Sequence, residues 1–160
     1  MNNISLYHED VKFIFSTLWS KISPVNEWLV LKSVSDFEQI KYGGHRFNVS
    51  DFNNLHVDCL AFIVKELNLS HDEETVVVSH HVPTFLNYPI VYKGSLLNEA
   101  FAVELFPFIE SSNVDYWIYG HHHRNTPNFN IGKTQLLTNQ LGYVKYGEHK
   151  MFRPDRVIIL

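Results

Sequence analysis

Two short clusters of histidine carry the chemistry this sequence could perform. Ser79-His80-His81-Val82-Pro83 follows the apolar run Thr75–Val78, and Gly120-His121-His122-His123 follows Tyr116–Tyr119. Half of the ten histidines lie in these two places. Imidazole is the commonest protein ligand for first-row metals and is neutral at physiological pH. His80, His121 and His123 therefore make a metal site the leading reading, with ordinary surface-loop histidines as the alternative. His121 and His123 are two residues apart, so on an extended segment both rings face the same side. The same alternation turns His122 away from them. Other site chemistries are poorly supplied. No H-E-x-x-H helix motif occurs, a single cysteine excludes cysteine-rich zinc sites, and Ser79 lacks the G-x-S-x-G setting of a hydrolase nucleophile.

The elements that must position these residues are legible in part. Both clusters end runs of branched and aromatic residues with strand character, where an α/β fold usually places its chemistry. Strands are expected near 12–18, 75–80, 115–120, 128–132, 134–139 and 156–160, and helices near 51–68 and 97–111. The first helix carries Phe52, Leu55, Cys59, Leu60, Ile63 and Leu67 as an apolar stripe, with Ser50 or Asp51 as cap. Cys59 reads as a small core residue and His56 as a satisfied helix histidine. Asn98 is expected to cap the second helix, with Pro107 kinking or restarting it. Gly132-Lys133 marks a hairpin turn, Gly43-Gly44 another turn, and Pro83 to Ser95 a loop over the site. Trp28–Leu31 has no clear type, and 68–74 is a polar connection. The order indicates one mixed α/β layered domain over 1–160.

Composition narrows the classes. With 45% hydrophobic and 19% charged residues the chain is ordinary for a soluble domain, and its aromatic share of 14% suggests thick layers or an interface. A formal charge of −4 gives no footprint for nucleic acid or an anionic membrane. No long apolar span or cationic leader is present, and a cytoplasmic location is expected.

The two clusters, taken together, resemble a known family. Ser79-His80-His81-Val82-Pro83 resembles the (T/S)HHxP signature of calcineurin-like metallophosphoesterases, and Gly120-His121-His122-His123 matches their G-H-x-H signature. Asn139-Gln140-Leu141-Gly142-Tyr143 looks like the N-P-R-G-Y run of one bacterial branch, with Pro and Arg replaced. Phe152–Ile158 resembles the end of that branch. The resemblance implies an α-β-β-α layered sandwich with mixed sheets and a phosphoester substrate attacked by activated water. It implies that His80 and His121 bind one divalent transition metal (Mn, Zn or Fe) and His123 a second. By the same resemblance His81 lies beside the site and helps hold phosphate, or replaces a ligand if the alignment slips by one.

The family's D-x-H, G-D and G-N-H motifs are absent from these 160 residues. The expectation is therefore the C-terminal part of a metallophosphoesterase domain, binding at most one metal and nearly inactive alone. A scaffold or binding module that keeps the fold, and a plain histidine-rich metal-binding domain, are the other readings. An apolar sheet face left uncovered predicts a homodimer or association with a complementary N-terminal half.

Overall fold

The computed structural model describes residues 2–70 and 72–160. Position 71, inside the expected polar connection, lies outside them. The chain opens with a hairpin of β1 (Ile4–His8) and β2 (Val11–Ser16). Two short helices follow, α1 (Glu27–Ser33) and α2 (Asp36–Gln39). A ribbon of β3 (Lys41–Tyr42) and β4 (His45–Arg46) turns through Gly43-Gly44. Then come the long helix α3 (Val49–Asn68), β5 (Glu74–Ser79), α4 (Phe106–Ser111), β6 (Tyr116–Ile118), β7 (Phe129–Ile131) and β8 (Thr134–Leu137). The main sheet is six-stranded and mixed, in the order β1-β2-β5-β6-β8-β7. Its centre, β2-β5-β6-β8, is parallel, and the two outer pairs are antiparallel hairpins. The mixed α/β class expected from the sequence is what the chain builds.

Register and alternation give the sheet two different faces. Ile14, Val77, Trp117 and Leu136 are aligned across the parallel strands on one face, all buried. Ile63 of α3 and Ile109 of α4 pack on them. Lys12 is fully buried on this face, and its ammonium meets the Glu66 carbonyl at 2.7 Å and the Glu66 carboxylate at 3.4 Å. A cation beneath the last turn of α3 is favoured by the helix dipole, and it joins the Leu69 amide and the Ser70 hydroxyl on the Glu66 carbonyl. On the opposite face Leu6, Phe13, Val76 and Tyr116 are aligned, as are Ile4, Phe15, Val78, Ile118 and Leu137. Most of these side chains remain half-buried or exposed. A second cluster under α1, α2 and the start of α3 joins Ile22, Val30, Phe37, Phe47 and Phe52.

Several expectations need correction. Asn48, not Ser50 or Asp51, caps α3: its side chain accepts the Asp51 amide, and Asp51 returns a bond to the Asn48 amide. The expected helix over 97–111 is broken. Residues 98–100 form one 3-10 turn, and Ala102 then makes a parallel bridge to Val82. Those backbone bonds outcompete the helical spacing of Phe101, Ala102, Leu105 and Ile109. Asn98 caps nothing; its amide donates to the Tyr92 carbonyl. Helix structure restarts at Phe106 with Pro107 in its first turn, as proline favours. The strand expected near 156–160 does not form. Arg156 is tied to the Thr138 carbonyl and to Asn128, while Val157 and Ile159 stay exposed. β1, α1, α2 and the β3-β4 ribbon lie outside the elements the sequence pattern predicts. Cys59 is buried, and His56 Nδ1 meets the Trp19 carbonyl at 2.6 Å, as a satisfied helix histidine should. No helix among the described residues is long and apolar enough to cross a membrane.

Candidate metal centre

β5 and β6 are parallel neighbours, so their C-terminal ends open on the same edge of the sheet. There the Gly120 amide donates to the His80 carbonyl at 3.2 Å and ties the two loops together. The imidazoles meet: ring centroids lie 4.4 Å apart for His80 and His121, and 4.3 Å for His81 and His121. The two histidine clusters are thus adjacent in the fold.

The route to that geometry differs from the expected one. The segment after β6 is not extended. The His122 amide bonds the Gly120 carbonyl at 3.0 Å, which closes a three-residue turn on His121. His121 has φ of 74° and His123 of 55°, both in the left-handed region. An i to i+2 turn with positive φ is strained for a residue that carries a Cβ, and such strain gathers at functional sites. Simple alternation therefore fails here. His121, His122 and His123 all line one cavity of about 640 Å³, together with His80.

Each ring has a distinct setting. His121 lies between His81 and Phe101, whose ring centroid is 4.9 Å away. His81 is 1% exposed and does not reach the cavity wall. It packs on Trp19 and Phe52, and its Nδ1 accepts the Ser20 amide at 3.2 Å. His122 is buried against Tyr88 and Tyr119, and its Nδ1 accepts from the Arg124 amide and the Gln140 side chain. His123 is held by Gln140 Oε1, which accepts its amide at 2.8 Å, and by Glu148, whose Oε2 lies 3.1 Å from Nδ1. His80 is the most open of the cluster toward the cavity.

Burial favours the neutral form of His80, His81, His121 and His122. Desolvation pushes the His121 pKa down to about 3, with His80 adding to the effect, and that of His122 down to about 4. The same cause holds His81 well below the ordinary imidazole value and lowers His80 as well. A neutral imidazole has a lone pair to give, which is the form a metal needs. Two carboxylates, Asp36 and Glu148, also line the cavity, and no lysine or arginine does among the described residues. Neither acid carries a motif signal: Asp36 lies in a stretch without period, and Glu148 lies outside both histidine motifs. The donor chemistry fits a transition metal, but the set is incomplete. Among the described residues no group of three or more His, Cys, Asp or Glu is arranged to hold an ion. The His121 ring is engaged by the Ala100 carbonyl.

Comparison with known proteins gives the cluster a context. The profile of the calcineurin-like phosphoesterase family matches residues 4–125. The match thus lies at the N-terminal end of this chain, ends two residues past His123, and leaves the tail segments outside it. An uncharacterized protein, L509, of Acanthamoeba polyphaga mimivirus is 32% identical over 154 residues, covering 89% of this chain and 54% of that protein. The chain spans about half the length of this relative. No solved structure matches.

Proposed function

The chain belongs to the calcineurin-like phosphoesterase family, and from that premise we propose that it carries the histidine-bearing, C-terminal part of a metal-dependent phosphoester hydrolase. One observation carries the reading. Neutral imidazoles from two strand ends converge in a cavity where, among the described residues, the acids Asp36 and Glu148 are the only Asp, Glu, Lys or Arg in the walls. A phosphoester dianion entering it would meet no lysine or arginine among the described residues, so a bound metal is the group that would balance its charge. His80 and His121 would hold one divalent cation, Mn, Zn or Fe, and His123 would contribute to a second position. A divalent cation would supply Lewis acidity at the phosphoryl oxygens and an activated water.

The chain's own residues do the rest. Burial keeps His80 and His121 unprotonated and available as donors. Phe101 and His81 fix the plane of the His121 ring from either side. His81, shut away behind His121 and held by Ser20, supports this reading as the residue that orients its neighbour, with phosphate contact open to it only after movement. The family's carboxylate motifs are not among these 160 residues, and a complement bearing them would complete the site. The half-bare apolar sheet face of Leu6, Phe13, Phe15 and Ile118 supports a partner there, either that complement or a second copy of this chain. Light scattering that gives a clean monomer at micromolar concentration would count against the second copy.

A scaffold reading has its own support in the unassembled ligand set and the Ala100 bond of His121. Turnover of an aryl phosphate with added Mn²⁺ or Zn²⁺, measured on this chain and on His121→Ala, separates the two. Little or no turnover is expected from the chain alone, with a gain of roughly 10²–10³ when a polypeptide bearing the missing motifs is supplied. Robust activity of the chain by itself, abolished in H121A, would sink the incomplete-site reading. No turnover in either mixture and no metal-dependent shift in Tm would favour the scaffold.

A further inference from the structure

The segment 139–151 lies beyond the family match, yet it surrounds His123 on several sides. Gln140 Oε1 takes the His123 amide, and the Tyr143 ring stands edge-on to the imidazole at 4.7 Å and 83°. Glu148 reaches the ring itself, with Oε2 3.1 Å from Nδ1. Resting on the metal reading above, we infer that Glu148 is a positioning residue for His123: its carboxylate takes the Nδ1 proton in a hydrogen bond and so reserves Nε2 as the metal-binding nitrogen.

The assignment follows from what Oε2 already does. It accepts the Tyr143 amide at 2.5 Å, and an amide can only donate. The oxygen is therefore acting as an acceptor, and the nitrogen facing it must carry the hydrogen. A neutral imidazole has one proton, so Nε2 is left with the lone pair. Partners of this kind on the far nitrogen fix the tautomer and orientation of a ligand histidine.

Gly142 makes the approach possible. It has φ of 61°, and a Cβ placed on it would sit 2.6 Å from the Glu148 Cβ, 2.8 Å from Oε2 and 3.2 Å from the His123 Cβ. Only a residue without a side chain lets this turn bring the acid and the imidazole together. The Glu148 side chain is 15% exposed and that of His123 31%, so the pair is more sheltered than a surface ion pair.

The test reads the metal-free chain first. Nitrogen NMR above the imidazole range should find His123 as the Nδ1–H tautomer in the wild type and shifted toward Nε2–H in Glu148→Ala. Co²⁺ titration followed by visible absorption should then show E148A binding about 10–100-fold more weakly. Glu148→Gln keeps the volume and an acceptor oxygen, so it should retain the tautomer and recover most of the affinity; it also guards against a simple folding defect in E148A. An Nε2–H tautomer in the wild type, or Co²⁺ affinity unchanged in E148A, overturns the inference while leaving metal binding standing. A wild type with the Nδ1–H tautomer that takes up no Co²⁺ overturns the metal reading, and this role for Glu148 with it.

Discussion

The loops after β5 and β6 deliver imidazoles to the same cavity, but they are held by different kinds of bond. After β5 the backbone does the holding. The His81 amide bonds the Thr17 carbonyl at 3.1 Å, the Val82 amide bonds Phe101, and the Val103 amide bonds Val82. After β6 side chains do it. Gln140 Oε1 takes the His123 amide, its Nε2 reaches His122, the Arg124 carbonyl and Thr138, and Asn125 takes the Gln140 amide. A backbone ladder is indifferent to side-chain identity, whereas the second loop, beyond the Gly120–His80 and His122–Gly120 backbone bonds, leans on the side chains of Gln140, Asn125 and Glu148. That loop is also the one with two left-handed histidines. The strained part of the site is thus the part that single substitutions can release.

The sharpest way to break this contrast is Gln140→Ala. It removes the partner of a part-buried backbone amide and several further bonds at once. A loss of about 2–3 kcal/mol in unfolding free energy is expected, with faster hydrogen exchange at residues 121–125 but not at 80–83. Equal acceleration in both loops would mean that they form one unit and that the contrast is false.

Acid sharpens it further. The folded pKa values of His81, His121 and His122 all lie below the unfolded value of about 6.5. Above that value neither state binds these protons and stability is unaffected. As pH falls through it, the unfolded chain takes up protons that the folded chain refuses, so stability declines, for His121 and His122 until about pH 3–4, where those two folded rings titrate. Urea midpoints should drop between neutral pH and roughly pH 5. His122→Gln, which keeps an acceptor for the Arg124 amide, should flatten that fall in part. A midpoint that rises on acidification would reverse the assignment.

The smallest effect is expected from Ser20→Ala. It deletes one hydroxyl 3.0 Å from His81 Nδ1 while the Ser20 amide keeps its own bond to that nitrogen. Denaturant unfolding should register less than about 1 kcal/mol. A cost as large as that of Q140A would show that the first loop also depends on single side chains.

The sequence by itself determined the strands that carry the histidines, because Thr75–Val78 and Tyr116–Tyr119 are apolar runs with no competing local structure. It determined α3 from one continuous stripe, and the 129–137 hairpin from alternation around Gly132. It also determined which imidazoles to watch, since both motifs are contiguous. Tertiary structure decided everything that depends on partners distant along the chain. The extended backbone at Ala102 exists because Val82 is there to pair with it, which no local propensity encodes. The left-handed backbone at His123 is sustained by Gln140, far along the chain. Asp36 and Glu148 become cavity walls only when α2 and the tail segment fold back over the strand ends. A side chain's type can be read from sequence; the company it keeps is set by packing and by long-range hydrogen bonds that local periodicity does not record.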